Sequence, residues 1–199
     1  MIHLNGHLLC AIDTETTGLK PFHHEIWEIS ILPLDENLDI SQKIVPFNVY
    51  IQPTWPERAD PDAIRVNKEG YMKACTDGFD KYVAAELFEE WFNKLKLGER
   101  KRIAPLGHNW AFDRAFMQDW LGHESFDFYV DGRFRDTMAM ANYENDRADW
   151  KAEPHPFPKL SLSYVASQLK IDFDKIHNAL DDTVLVAKVY KDLVRGRLP

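Results

Sequence analysis

The pattern of apolar and polar positions predicts strands at the start of the chain. Residues 8–12 form a short, fully apolar run that is typical of a buried strand. Residues 26–34 are rich in Ile and Leu, and residues 43–51 alternate between apolar and polar positions, so two further strands are predicted in hairpin-like succession. Prolines 53, 56 and 61 then end the strand pattern.

Helical periodicity dominates the rest of the chain. Its clearest instance is residues 80–97, where apolar side chains recur at steps of three and four. Residues 145–159 carry three prolines and several charges, which favours an irregular loop. The remaining predictions are a strand at 102–106 and helices at 112–121, 136–143, 160–169 and 178–194.

Three strands followed by alternating helices and strands predict an α/β fold, a mixed central β-sheet flanked by α-helices. The chain has 199 residues, enough for one buried core and too few for two ordinary domains. We therefore expect a single domain over residues 1–199.

Charge, cysteine content and hydropathy limit the partners and the compartment that the sequence predicts. The chain has 32 Asp and Glu against 24 Lys and Arg, so it cannot coat nucleic acid by neutralising phosphates, and any contact with nucleic acid must be local. The contexts of Cys10 and Cys75 suggest neither a metal cluster nor a disulfide framework, which favours a reducing, cytoplasmic compartment. No apolar run approaches the length that a bilayer requires, so no membrane association is expected.

A polar segment follows the first predicted strand. Asp13 and Glu15 are two positions apart and project to one face of an extended backbone, where both can bind one metal ion. Asp-x-Glu alone is expected about once by chance in this composition, but with Thr17 and Gly18 added the expectation falls to about two in a thousand. The glycine would permit a turn with positive φ, and Thr16 and Thr17 offer hydroxyl and N–H groups to an anionic ligand.

The last predicted helix carries a third acidic candidate. Asp182 lies on the apolar stripe that faces the protein body. Its neighbour Asp181 lies on the polar side, where capping by Asn178 explains it, so we assign a functional role to Asp182 and a structural one to Asp181. His177 precedes this helix, where its ring could turn toward whatever Asp182 binds.

Asp113 is the fourth candidate carboxylate, at the start of a helix that follows a predicted strand end. Two carboxylates about 4 Å apart repel by about 4 kcal/mol at an effective dielectric of 20, so four of them need cations if they converge. Mg²⁺ or Mn²⁺ suits carboxylate ligands, and two such ions stabilise both oxygens of a phosphoryl displacement. The alternative is that each carboxylate is a solvated surface charge.

Three segments of the chain resemble the motifs of the DEDDh, or DnaQ-like, 3′ to 5′ exonucleases. They are Asp13-Thr14-Glu15-Thr16-Thr17-Gly18, Gly107-His108-Asn109-Trp110-Ala111-Phe112-Asp113 and His177-Asn178-Ala179-Leu180-Asp181-Asp182. The resemblance spans nearly the whole chain and implies a ribonuclease H-like fold. It also implies that two Mg²⁺ or Mn²⁺ ions are bound by four carboxylates, with His177 as the general base. Those four carboxylates are Asp13, Glu15, Asp113 and Asp182.

The resemblance extends to the substrate. It implies that Thr16 and Thr17 meet the terminal nucleotide and that Leu19 wedges against its base, although Leu19 could equally belong to the core. Asn109 would fasten the loop of the second motif, and it is a candidate substrate-binding residue together with Thr16, Thr17 and Leu19. One departure is Asn67-Lys68, at a place where the family often has His-Gly, so the contact with the terminal nucleotide could differ there.

The implied activity is removal of nucleoside 5′-monophosphates from nucleic acid with a free 3′ end. Single-stranded DNA is the favoured substrate, with RNA or short oligoribonucleotides as the alternative. A domain without catalysis that binds nucleic-acid ends or a protein partner is the competing hypothesis, because a fold does not fix a function. We expect no polymerase-binding tail and therefore a stand-alone enzyme. The residues do not indicate an oligomeric state.

Overall fold

The computed structural model describes residues 4–173 and 178–198, which form five strands and eight α-helices. The strands are β1 (Leu8–Thr16), β2 (Ile26–Pro33), β3 (Phe47–Tyr50), β4 (Ile103–Gly107) and β5 (Arg135–Asp136). The helices are α1 (Pro61–Val66), α2 (Lys68–Asp77), α3 (Lys81–Lys94), α4 (Trp110–Leu121), α5 (His123–Tyr129), α6 (Thr137–Trp150), α7 (Leu162–Gln168) and α8 (Ala179–Val194).

The five strands form one mixed sheet in the order β3-β2-β1-β4-β5. The first three strands pair antiparallel, as their hairpin-like succession predicts, whereas β4 joins β1 in parallel and β5 joins β4 in parallel. The predicted α/β architecture with a mixed central sheet is confirmed. Strand β1 lies at the centre and pairs with β4 as far as Ala11, whereas its end, from Ile12 to Thr16, continues to pair with β2.

Alternation along β1 divides its side chains between two helical layers. Cys10 and Ile12 pack in the cluster that contains the buried residues of α3 and α4. Leu9 and Ala11 pack in the cluster that contains buried residues of α8. Because side chains alternate along a strand, Asp13 continues the row that faces α8. The sheet thus directs the polar end of β1 toward the last helix.

Two strand boundaries differ from the prediction. Strand β1 does not end at Ile12 but continues through Asp13 and Glu15 to Thr16, because its pairing with β2 extends as far as Thr16 opposite Ile26. The acidic residues are therefore part of the sheet. Strand β3 is shorter than the predicted segment 43–51, since its ladder with β2 covers Phe47–Tyr50.

The predicted loop at 145–159 is wrong in its first part, because α6 continues to Trp150. Asn145 is buried there, and its amide both donates to the Phe157 carbonyl at 2.8 Å and accepts from the Phe157 N–H at 3.0 Å. These bonds satisfy a polar side chain that pattern alone assigns to a loop. Helices α1, α2 and α5 and strand β5 were not predicted. None of the helices in the described part of the chain is long and apolar enough to cross a membrane.

Candidate active site

Three of the predicted acidic residues converge between β1 and α8. Asp13, Glu15 and Asp182 each place one carboxylate oxygen so that the three atoms lie within 4.8 Å of one another. The first two continue the face of β1 that packs toward α8, and Asp182 lies in the first turn of that helix. The period of two along the strand and the apolar stripe of the helix together account for this convergence.

Asp113 approaches the same region from α4 and is 3% exposed. Its Oδ1 accepts hydrogen bonds from the Thr14 N–H at 3.0 Å and the Thr14 hydroxyl at 2.8 Å. The last parallel pair of β1 with β4 is Ala11 with Leu106, so Asp113 bonds to β1 beyond the end of that ladder. Asp113 is outside the three-carboxylate group, but its charge raises the pKa of Asp13. Its role as a fourth metal ligand stays a prediction.

Burial and mutual repulsion raise the pKa values of these carboxyl groups. Burial raises the pKa of Asp13 most, followed by the charges of Asp113 and Asp182. Burial, then the charge of Asp182, raises the pKa of Glu15 to about 8. Burial raises the pKa of Asp113 to about 7, although the hydrogen bonds from Thr14 act in the opposite direction. The site therefore gathers carboxyl groups whose charged forms are disfavoured by burial and by one another.

This donor set fits a hard divalent cation. All three groups offer oxygen, which Mg²⁺ and Mn²⁺ prefer, and the three side chains are only partly buried, which leaves access from solvent. Ligands on opposite sides of an octahedral Mg²⁺ lie about 4 Å apart, which is close to the observed spread of the oxygen atoms. A bound cation would offset the repulsion that raises the carboxyl pKa values.

The beginning of α8 confirms the structural interpretation of Asp181. The Asn178 Oδ1 accepts from the Asp181 N–H at 2.9 Å, and the Asn178 amide donates to the Asp181 Oδ2 at 2.7 Å. Asn178 is thus the N-cap of α8, and Asp181 holds this cap in place. His177, the predicted general base, lies outside the described residues.

The loop after β1 is held by its two threonines. The Thr16 hydroxyl donates to the Gly18 carbonyl at 2.8 Å, and the buried Thr17 hydroxyl accepts from the Glu25 N–H at 2.9 Å. Both hydroxyl groups therefore shape the loop, and their predicted contact with a terminal nucleotide stays a prediction. The reason for Gly18 differs from the predicted one, since its φ is not positive. A Cβ there would lie 2.5 Å from the His24 ring, so glycine is required by the close approach of that ring.

The rim of the loop exposes apolar side chains. Leu19 is 75% exposed, which excludes the core alternative, and Phe22 on the same loop is 67% exposed. A neighbouring segment is bound to this loop, because the Trp55 N–H donates to Glu25 Oε2 at 2.8 Å and the Asp60 N–H donates to the Thr17 carbonyl at 2.7 Å.

That neighbouring segment contributes a further aromatic group to the rim. Trp55 is 45% exposed, and the Arg58 guanidinium lies over its ring at 4.6 Å. A few residues later, Asn67 accepts from the Gly70 N–H as the N-cap of α2, which gives the departure at Asn67-Lys68 a structural role.

The second motif loop is fastened by a residue that sequence reasoning missed. Asn109 is exposed, has φ of 68°, and its side chain does not cap α4. Instead, Asp136 accepts from the Asn109 N–H at 3.1 Å and from the Trp110 N–H at 2.8 Å. Trp110 is buried in the core, and both ring nitrogens of His108 are engaged, one with the Thr137 hydroxyl and one with the Leu160 carbonyl. The contact of Asn109 with substrate stays a prediction.

Sequence reasoning also missed two polar residues of β2. Glu28 is 1% exposed and lies opposite Glu15 in the antiparallel ladder, and Ser30 is fully buried opposite Asp13. The signal that could have found them is a polar residue at alternate positions within an otherwise apolar strand. These positions share the face that carries Asp13 and Glu15.

Comparison with known proteins shows which family the chain resembles. Residues 10–190 match the RNase_T family model, described as "Exonuclease". The chain is 29% identical over 200 residues to the DNA polymerase III subunit epsilon of Pasteurella multocida, a match that covers 94% of this chain and 68% of the relative. The subunit epsilon of Haemophilus influenzae is 28% identical over 207 residues, covering 98% and 70%.

Solved structures share the fold at lower identity. A zinc-bound complex of Escherichia coli exonuclease I with single-stranded DNA has a TM-score of 0.73 and 18% identity, covering 96% of this chain and 41% of that one. Cell-death related nuclease 4 has a TM-score of 0.70 and 19% identity, covering 96% and 64%. This chain thus spans less than half the length of the exonuclease I chain.

The mixed sheet flanked by helices is the fold of exonuclease I, a ribonuclease H-like fold. The chain belongs to the RNase_T exonuclease family, whose model covers residues 10–190.

Proposed function

We propose that this protein is a 3′ to 5′ exonuclease that uses two divalent ions, Mg²⁺ or Mn²⁺, to hydrolyse the terminal phosphodiester bond of single-stranded DNA. The observation that carries the proposal is the meeting of Asp13, Glu15 and Asp182, with oxygen atoms within 4.8 Å, in a chain of an exonuclease family. Nucleoside 5′-monophosphates would be the products.

The residues have separate tasks in this reaction. Asp13, Glu15 and Asp182 would hold the cations, and Asp113, fixed to β1 through Thr14, would complete the set. Bound divalent ions lower the pKa of water and stabilise the attacking and leaving oxygens. His177 precedes the N-cap of α8 in the sequence. We assign it the role of the general base that removes a proton from the attacking water, because an imidazole titrates near neutral pH.

The preference for a single strand is supported by exposed apolar side chains on the loop after β1 and on the segment bonded to it. Leu19, Phe22 and Trp55 are exposed there, and unpaired bases stack on aromatic side chains such as Phe22 and Trp55 for about 1 to 3 kcal/mol each. The Arg58 guanidinium on Trp55 adds a local positive charge to an acidic protein. Exonuclease I, which shares the fold, is known in complexes with single-stranded DNA and with a dT13 oligonucleotide.

The test is digestion of end-labelled single-stranded DNA, duplex DNA, RNA and dinucleotides with Mg²⁺ or Mn²⁺. Asp182→Asn should reduce the rate on the preferred substrate roughly a thousandfold, since it removes an anionic metal ligand worth several kcal/mol. Asp181→Asn is the matched control, because it changes the adjacent carboxylate of the same turn, and it should stay within a few fold of the parent.

The outcomes of these digestions distinguish the proposed function from its alternatives. Faster loss from RNA than from DNA would replace the substrate of the proposal by the oligoribonucleotide alternative. Binding of 3′ ends without turnover in the parent protein would favour the domain without catalysis. Full activity of Asp182→Asn would contradict the proposed site.

A further inference from the structure

Strand β2 is tied to α8 by two polar contacts, and the contacted residues of α8 lie on either side of Asp182 in the sequence. Glu28 Oε2 accepts a hydrogen bond from the Ala179 N–H at 3.4 Å. The Ser30 and Thr183 hydroxyl oxygens lie 3.2 Å apart. The Thr183 hydroxyl donates its hydrogen to the Leu180 carbonyl at 2.7 Å, so Ser30 must be the donor to Thr183.

Both contacts are made where polar groups are costly. Glu28 is 1% exposed, and Ser30 and Thr183 are fully buried. Their neighbours Ile29 and Ile31 show that apolar residues fill the opposite face of the same strand. A buried polar group without partners costs a few kcal/mol, so these side chains are tolerated because they bond to α8.

The register of the sheet places these contacts beside the metal ligands. Ser30 is the direct cross-strand partner of Asp13, and Glu28 is that of Glu15. Direct partners in an antiparallel pair place their side chains on the same face, about 5 Å apart. Glu28 and Ser30, which bond to α8, are therefore direct neighbours of Glu15 and Asp13 on the face of the sheet that Asp182 approaches.

We propose that Glu28 and Ser30 are positioning residues, which hold the first turn of α8 so that the Asp182 carboxylate stays within reach of Asp13 and Glu15. The first contact restrains the helix at Ala179, and the second restrains it at Thr183, immediately after Asp182. A helix restrained at both points can neither slide along the sheet nor rotate. This inference rests on the metal site of the proposed function.

The test compares Mn²⁺ binding in the full chain, measured by the electron paramagnetic resonance signal of free Mn²⁺, which needs no turnover. Glu28→Leu removes the acceptor and should weaken Mn²⁺ binding about tenfold or more, as removal of groups that orient metal ligands commonly does. Glu28→Gln keeps a carbonyl oxygen for the Ala179 N–H, and Asn48, which bonds to Glu28, can reverse its amide to suit. This variant should retain binding within about threefold.

Ser30→Ala and Thr183→Val remove the second contact with little change of volume, and each should weaken Mn²⁺ binding by a smaller factor than Glu28→Leu. These two variants also test the proposal if Glu28→Leu does not fold. Asn145→Ala is the control for a purely structural loss, since it removes two hydrogen bonds of another buried polar side chain, on α6. It should lower the melting temperature and leave Mn²⁺ affinity unchanged.

Two results would overturn the proposal. The first is Mn²⁺ affinity in Glu28→Leu and Ser30→Ala that equals that of the parent. The second is a loss in Glu28→Gln as large as in Glu28→Leu, which would show that charge and not position matters. A parent that binds Mn²⁺ without any exonuclease activity would refute the proposed function but leave this test intact.

Discussion

The metal-free protein should lose stability as the pH rises from about 5 to 8. Glu15 has a pKa of about 8 in the folded protein against an ordinary value of 4.5, with burial as the largest cause and the charge of Asp182 as the next. The folded state therefore binds this proton more tightly than the unfolded chain. The resulting stabilisation is complete below the unfolded pKa and is lost as the pH rises through the folded pKa.

The size of the effect follows from the two pKa values. Each pKa unit corresponds to about 1.4 kcal/mol, so a rise from 4.5 to about 8 sets an upper limit of about 5 kcal/mol at alkaline pH. Asp13 and Asp113 interact with Glu15, so a single substitution removes only part of the total. We expect metal-free Glu15→Gln to exceed the parent by about 2 to 3 kcal/mol in free energy of unfolding at pH 8. Near pH 5 the two proteins should be equal.

Urea unfolding in EDTA at pH 5, 6, 7 and 8 measures this difference directly. Glu36→Gln is the control, because Glu36 is an exposed carboxylate, and it should follow the parent at every pH. Added Mn²⁺ should restore the stability of the parent at pH 8 far more than that of Glu15→Gln, since a ligand that binds only the folded state stabilises it. A parent whose free energy of unfolding is flat over this range, or a Glu15→Gln protein no more stable at pH 8, would refute the reasoning.

Two further predictions concern the loop that follows β1. Leu19→Ala should raise KM for single-stranded substrate severalfold without changing the melting temperature. Val45→Ala is the control, because its side chain is 79% exposed in another part of the surface, and it should change neither KM nor melting temperature. An unchanged KM for Leu19→Ala would contradict the proposed contact. Gly18→Ala should destabilise the protein by about 1 to 3 kcal/mol, because its Cβ would overlap the His24 ring. In thermal unfolding the double variant Gly18→Ala/His24→Ala should be more stable than the sum of the single losses predicts, and strict additivity would argue against this contact.

The sequence predicts the parts of the fold in which burial and pattern agree. The apolar run before Asp13, the helical period of α3 and the body-facing stripe of α8 all lead to the observed elements. Helix α2 gives no such signal, since Tyr71 and Ala74 are its only buried residues. The sequence pattern assigns Pro61 to the end of the strands, whereas Pro61 is the first residue of α1, directly after the N-cap Asp60. Its missing N–H costs nothing there, because an N–H in the first turn has no acceptor within the helix.

The candidate site shows the same division. Asp13, Glu15 and Asp182 could be predicted because each lies in a regular element whose periodicity fixes the direction of the side chain. Glu28 and Asp136 could not, because their roles depend on which distant backbone N–H groups reach them: that of Ala179 for Glu28, and those of Asn109 and Trp110 for Asp136. Such pairings arise only when strands and helices from separate parts of the chain pack together.

The carboxylate group joins the first strand of the sheet to the last helix, at positions 13 and 182. During synthesis the first strand leaves the ribosome long before α8 exists, so a nascent chain carries only part of the cation site. The proposed cation site would thus arise only once α8 has packed against the sheet, and a chain interrupted before α8 would lack Asp182.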